Sequence, residues 1–177
     1  MPTAQPGEEV AVMQTNFGRI VIRFLDDKAP NHVANFKKLA REGFYDGTKF
    51  HRVIPGFMVQ GGDPNSRSAD RSTHGTGGPA QRVNAEFNDT PHVRGILSAA
   101  RSSDPNSAGS QFFLMVANAP HLNGQYSAYG EIVEGMDVVD KIVQLPRDSR
   151  DNPLPANPAI LESVTIEPYA GESSTGA

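Results

Sequence analysis

The sequence has no cysteine and no tryptophan among its 177 residues. Without cysteine there can be no disulfide staple, no thiolate metal site and no cysteine nucleophile, and the composition suits a reducing compartment. No apolar run approaches the roughly 18 residues needed to span a bilayer. The opening MPTAQPGEEV has neither the basic nor the apolar stretch of a secretory signal. A cytoplasmic protein without a membrane partner is the expectation. The formal net charge is only -4, so there is no general attraction to phosphate backbones, and nucleic acid is not an expected partner. The five histidines, at 32, 51, 74, 92 and 121, have no i, i+4 pairing and no carboxylate register, so no metal site is expected.

What is present points to one folded domain. Hydrophobic residues make up 37% and charged residues 20%, a globular balance, and the length is short for two domains of ordinary size. With 17 glycines and 14 prolines, above the usual share, connections should dominate over long helices. From Val10 to Leu25 two β-rich runs flank a three-residue loop ending in Gly18, which reads as a hairpin. Pro30 can open a helix running to Glu42, because Val33, Phe36, Leu39 and Ala40 recur at helical spacing before Gly43. Short β-favouring runs follow at 49–54, 57–61, 96–99, 112–116 and 128–133. A second helix is expected over Met136 to Gln144 and a last strand over Ile160 to Ile166. So many short strands, with too little helix to cross between parallel ones, favour a mainly antiparallel closed or sandwiched sheet. Two long irregular pieces, 64–85 and 146–158, are candidates for functional loops.

The chemistry is suggested by two stretches. In SQFFLMV, strand alternation puts Phe112, Leu114 and Val116 on one face and Gln111, Phe113 and Met115 on the other. In FHRVIPGFMVQGGD, Met58 and Gln60 likewise share a face, and Arg52 stands just upstream. Arginine keeps its proton at physiological pH, so Arg52 can serve as a fixed donor but not as a general acid or base. An apolar slot with glutamines and an arginine offers no evident nucleophile, carboxylate pair or metal cluster. Binding, or a reaction that breaks no bond, remains. HGTGG at 74–78 lacks the Lys-Ser/Thr of a phosphate loop and reads as a tight glycine turn.

The chain resembles the cyclophilins, a family of peptidyl-prolyl cis/trans isomerases. The resemblance rests on FHRVIPGFMVQGGD at 50–63, GTGG at 75–78, GILSAAR at 95–101, GSQFF at 109–113, HLNGQYSAYGEIVEGMDVVDKI at 121–142 and ESVTIE at 162–167. It runs in order over residues 10–168, implying one domain there with flexible segments at 1–9 and 169–177. The fold implied is a closed eight-stranded antiparallel β-barrel capped by two α-helices. The same resemblance implies Arg52 as the catalytic residue and Phe57, Met58, Phe113 and Leu122 as the slot for a proline ring. Gln60 and Gln111 fall on its polar positions, Ala100 and Arg101 on the strand that pairs with a bound peptide, and His51 on the site's edge. Where many members carry tryptophan and histidine, this chain has His121 and Tyr126, so cyclosporin binding should be weak while peptide binding survives. Arg101 and the DPNS insertion at 104–107 look bacterial.

The physics agrees with an isomerase. An X-Pro bond has nearly balanced isomers but a barrier of about 20 kcal/mol, so only the barrier needs help and no cofactor is required. The expected partners are proline-containing peptides and unfolded or partly folded proteins, met by a monomer. The alternative is a non-catalytic proline-binding module or chaperone using the same groove.

Overall fold

The computed structural model of the chain describes residues 4–170. Among these residues nine strands form one sheet: β1 Glu9–Thr15, β2 Gly18–Phe24, β3 Thr48–Lys49, β4 Arg52–Ile54, β5 Met58–Gly61, β6 Ile96–Ala99, β7 Phe112–Met115, β8 Ala128–Glu134 and β9 Ile160–Pro168. Helix α1 spans Pro30–Arg41 and helix α2 Met136–Val143. The strand order is β3-β9-β1-β2-β8-β6-β7-β5-β4, and every pairing is antiparallel.

The opening hairpin is tighter than the sequence suggests. Thr15 pairs with Gly18, leaving Asn16 and Phe17 as a two-residue turn. Thr15 Oγ1 closes it, donating to Gly18 O at 2.7 Å and accepting from Phe17 N at 3.0 Å. Gly18 has φ of 136°, and a side chain there would run into Val138 of α2. In α1, Pro30 sits in the first turn, and Val33, Phe36, Leu39 and Ala40 are buried as their spacing requires.

The run at 49–54 is not one strand. It divides into β3, which pairs with β9, and β4, which pairs with β5, so a single stretch of chain supplies both ends of the sheet. Phe50 and His51 are the join. Three peptide units from Lys49 to Arg52 reach at most about 11 Å. The sheet must therefore curl until its ends nearly meet. This division explains why nine strands are found where eight were expected, and no ladder joins β3 to β4 among the described residues.

The concave face and α1 enclose the main core, which includes Phe24, Phe36, Tyr45, Phe50, Phe112 and Leu114. A separate apolar cluster of Met58, Ile96, Phe113, Met115, Ala119, Leu122 and Ala128 packs on the other face. The two long loops hold each other through Arg71. One of its terminal nitrogens donates to Asp148 Oδ2 at 2.9 Å, Asn152 O at 3.1 Å and Pro153 O at 2.9 Å. Packed residues extend past the expected limits of 10 and 168, since Ala4 and Tyr169 are buried with Val10 and Val133. The polar stretch 171–177 lies outside the described residues. Among those residues no helix is long and apolar enough to cross a membrane.

Candidate functional site

Residues directly opposite one another in adjacent strands present their side chains to the same face. On the outer face this rule builds two rows. Arg52 of β4 stands opposite Gln60 of β5, which stands opposite Phe113 of β7, which stands opposite Ser98 of β6. One step along, Ile54, Met58 and Met115 form the second row. The rows place a guanidinium and an amide beside an apolar floor.

That floor is the outer cluster. Met58, Phe113 and Leu122 are buried, and Phe57 and Tyr126 pack at its margin. Tyr126 meets Phe113 edge-on, with centroids 5.6 Å apart and planes at 85°. The exposed His121 ring lies 6.0 Å from that of Phe57, at 35°. Arg101 covers Tyr126 with its guanidinium 4.6 Å from the ring centroid, and donates to Gln125 O at 3.0 and 2.8 Å. Ala100 N donates to Gln111 O at 3.0 Å, so this nitrogen is already used.

The two glutamines have different duties. Gln111 Nε2 donates to both Gly75 O and Gly77 O at 3.0 Å, which consumes its donors and fixes which end of the amide is oxygen. Its Oε1 then accepts from Gln60 Nε2 at 3.0 Å. Gln60 keeps a carbonyl oxygen and one N–H for something else. Gln111 is therefore a strut, and the glycine turn is its footing. Asp63 holds that turn by accepting from the Gly75 and Asn65 backbone nitrogens, and a side chain at Gly77 would strike its carboxylate.

Arg52 is exposed, and among the described residues its guanidinium has no carboxylate or carbonyl partner. His51, beside it in sequence, is buried. Burial lowers its pKa to about 4 despite the pull of Asp63, with His74 and Arg52 adding to the depression. The ring is thus neutral near pH 7, and among the described residues its Nδ1 makes no well-formed hydrogen bond. Two clefts flank Gln60. One, of about 400 Å3, includes Gly75, Gly77, Arg82, Arg101 and Gln111 in its wall. The other, of about 240 Å3, includes His51, Arg52, Asp148 and Arg150.

Sequence reasoning missed His92. It lies under Phe113, ring on ring at 6.2 Å and 25°, with Nε2 2.9 Å from Ser98 Oγ. A lone histidine in TPHVRG carries no periodic signal, so only the fold reveals it.

The profile of the "Cyclophilin type peptidyl-prolyl cis-trans isomerase/CLD" family matches residues 10–165. The chain belongs to the cyclophilin family. A probable peptidyl-prolyl cis-trans isomerase of Brucella abortus is 44% identical over 170 residues, covering 93% of this chain and 86% of the relative. Peptidyl-prolyl cis-trans isomerase B of Escherichia coli is 41% identical over 167 residues, covering 89% and 99%. A cyclophilin of Cryptosporidium parvum, crystallised in the presence of the dipeptide Ala-Pro, superposes with a TM-score of 0.82 at 30% identity, covering 90% of this cyclophilin and 99% of that chain. The cyclophilin fold is thus this chain's own, down to the curled antiparallel sheet with two helices.

Proposed function

We propose that this cyclophilin accelerates rotation about X-Pro bonds in peptides and in unfolded or partly folded proteins, with Arg52 as the catalytic residue. The observation that carries the reading is the outer row: an unpaired guanidinium, a half-committed glutamine and a buried aromatic ring, side by side on three paired strands. Phe57, Met58, Phe113 and Leu122 receive the proline ring. As the amide twists, conjugation is lost and the prolyl nitrogen gains a localised lone pair. A guanidinium aimed at that nitrogen stabilises the twisted state more than the planar one, which is the differential binding that lowers a barrier. Arginine suits the task because it is always charged and transfers no proton.

The remaining groups hold the peptide. Gln60 offers one acceptor and one donor, and Gln111 acts through it. With Ala100 N committed to Gln111, the Arg101 N–H and the carbonyls of Ala100 and Arg101 are the backbone groups left for peptide pairing among the described residues. Tyr126, under Arg101, forms the apolar margin. His51 lines the same cleft as Arg52, and His121 borders the slot at Phe57. The working unit is a monomer of one domain, built on 10–168 with Ala4 and Tyr169 packed against it.

NMR exchange between the cis and trans signals of a short Ala-Pro peptide tests the reading. Wild type should accelerate exchange well above the uncatalysed rate. Arg52→Ala should lose about 10²–10³-fold in kcat/KM, the usual scale for removing one transition-state donor, with an unchanged Tm. A non-catalytic binding module would instead shift the peptide signals without accelerating exchange.

A further inference from the structure

The loop 146–158 has no role in the scheme above, yet it is fastened to the catalytic strand. Val53 N donates to Asp151 O at 2.7 Å. Arg52 and Arg150 are the residues immediately before these two, and both line the 240 Å3 cleft. The loop is held in shape by Asp148, whose Oδ1 accepts from Arg150 N at 2.8 Å and Asn152 N at 3.1 Å. Asp148 Oδ2 takes Arg71 at 2.9 Å, which brings the 64–74 segment against the same loop.

The charges in the cleft do not cancel. Arg52, Arg71 and Arg150 line it, and Asp148 is the single carboxylate in its wall among the described residues. Arg71 neutralises Asp148. Asp151, the next nearest in sequence, faces Arg147 at 3.3 Å. Among the described residues the side chains of Arg52 and Arg150 are left with donors and no anion. Both histidines in the wall are buried: His74 is satisfied by Asn152 Nδ2 at 3.0 Å and Ser68 O at 2.8 Å, whereas among the described residues His51 Nδ1 makes no well-formed hydrogen bond. Cationic and donor capacity is therefore concentrated beside the proline slot in a chain that is acidic overall.

We propose that this cleft is a specificity subsite for an acidic residue of the substrate, flanking the proline, and that Arg150 is its specificity-determining residue. The proposal rests on the isomerase reading for the place of the proline. Asp and Glu carboxylates match the guanidinium fork and would be held near Arg52 without displacing the ring from its slot. The contact is made in planar and twisted states alike, so it should act on KM and leave kcat nearly unchanged.

The test scans Ala-Pro peptides carrying Asp, Asn or Lys one or two residues before or after the X-Pro pair. At low ionic strength, one position should show KM about fivefold lower for Asp than for Asn, and higher for Lys, with the preference fading in about 0.5 M salt. Arg150→Gln should abolish it while the neutral peptide turns over as in wild type. Arg82→Gln, in the other cleft, should leave it intact. Absence of an acidic preference at every position, or its survival in Arg150→Gln, overturns the proposal. If no peptide is isomerised faster, the isomerase reading fails separately, and the same series read by peptide Kd still decides the subsite.

Discussion

Phe112 and Phe113 are neighbours on β7, and the sheet sends them into opposite surroundings. Phe112 is fully buried against Phe36, Tyr45 and Phe50, with ring centroids 5.8–6.1 Å away. Phe113 is also buried, at 5% exposure, but its neighbours are Tyr126, His92, Gln60 and Ser98. Burial alone does not separate core from site. What differs is the company: the inner ring meets other core rings, while the outer one stands among polar side chains, of which Gln60 still has hydrogen bonds to give.

The sharpest way to break this comparison is to truncate both rings. Phe112→Ala should cost about 3–5 kcal/mol in urea unfolding, because the cavity opens in a packed aromatic cluster that cannot collapse. The remaining folded protein should keep its activity per molecule. Phe113→Ala should cost less stability, since the outer cluster is smaller and opens to the groove, but lower kcat/KM by more than tenfold. Equal stability losses, or activity lost in proportion to stability at both positions, would remove the distinction.

Much of this distinction was legible in the sequence. Strand alternation alone sorted Phe112 from Phe113, and helical spacing found both α1 and α2 to within a residue. The division of 49–54 was not legible, because pairing partners are a property of the whole sheet and β3 is only two residues long. Nor was the role of Gln111, whose amide is consumed by Gly75 and Gly77, more than thirty residues away in sequence. Local pattern carries the faces of strands, while long-range hydrogen bonding decides which polar residue is free to act.

His51 sharpens the comparison, being a titratable ring treated as the inner face treats apolar ones. Above pH 6.5 it is neutral in both folded and unfolded chains. Between pH 6.5 and about 4 the unfolded chain takes the proton and the folded chain does not, so stability falls as the pH falls. The gap corresponds to about 3 kcal/mol from this residue at most, complete below pH 4. Asp63, His74 and Arg52 are the charged or titratable groups that act on it. His32 and His92 are also lowered, chiefly by burial, and act with the same sign. In urea unfolding at pH 7 and pH 4.5, His51→Gln should show a visibly smaller difference than wild type. An identical difference would mean that His51 is protonated in the folded chain.

The outer face also has a place where its aromatic wall is thin. His121 sits on the short turn Pro120–Leu122, which buries Leu122 and leaves the imidazole exposed beside Phe57. A larger ring can grow there toward solvent without displacing the core. In His121→Trp the indole would extend the apolar margin by roughly 50 Å2, worth about 1.3 kcal/mol when a broad apolar ligand covers it. Cyclosporin, as such a ligand, should bind about tenfold more tightly by calorimetry than it does to wild type. On the proposed slot a short Ala-Pro peptide stops short of the margin, so its kcat/KM should change by less than about twofold. Were both to rise together, position 121 would belong to the slot itself, and the outer face would be as continuous as the inner one.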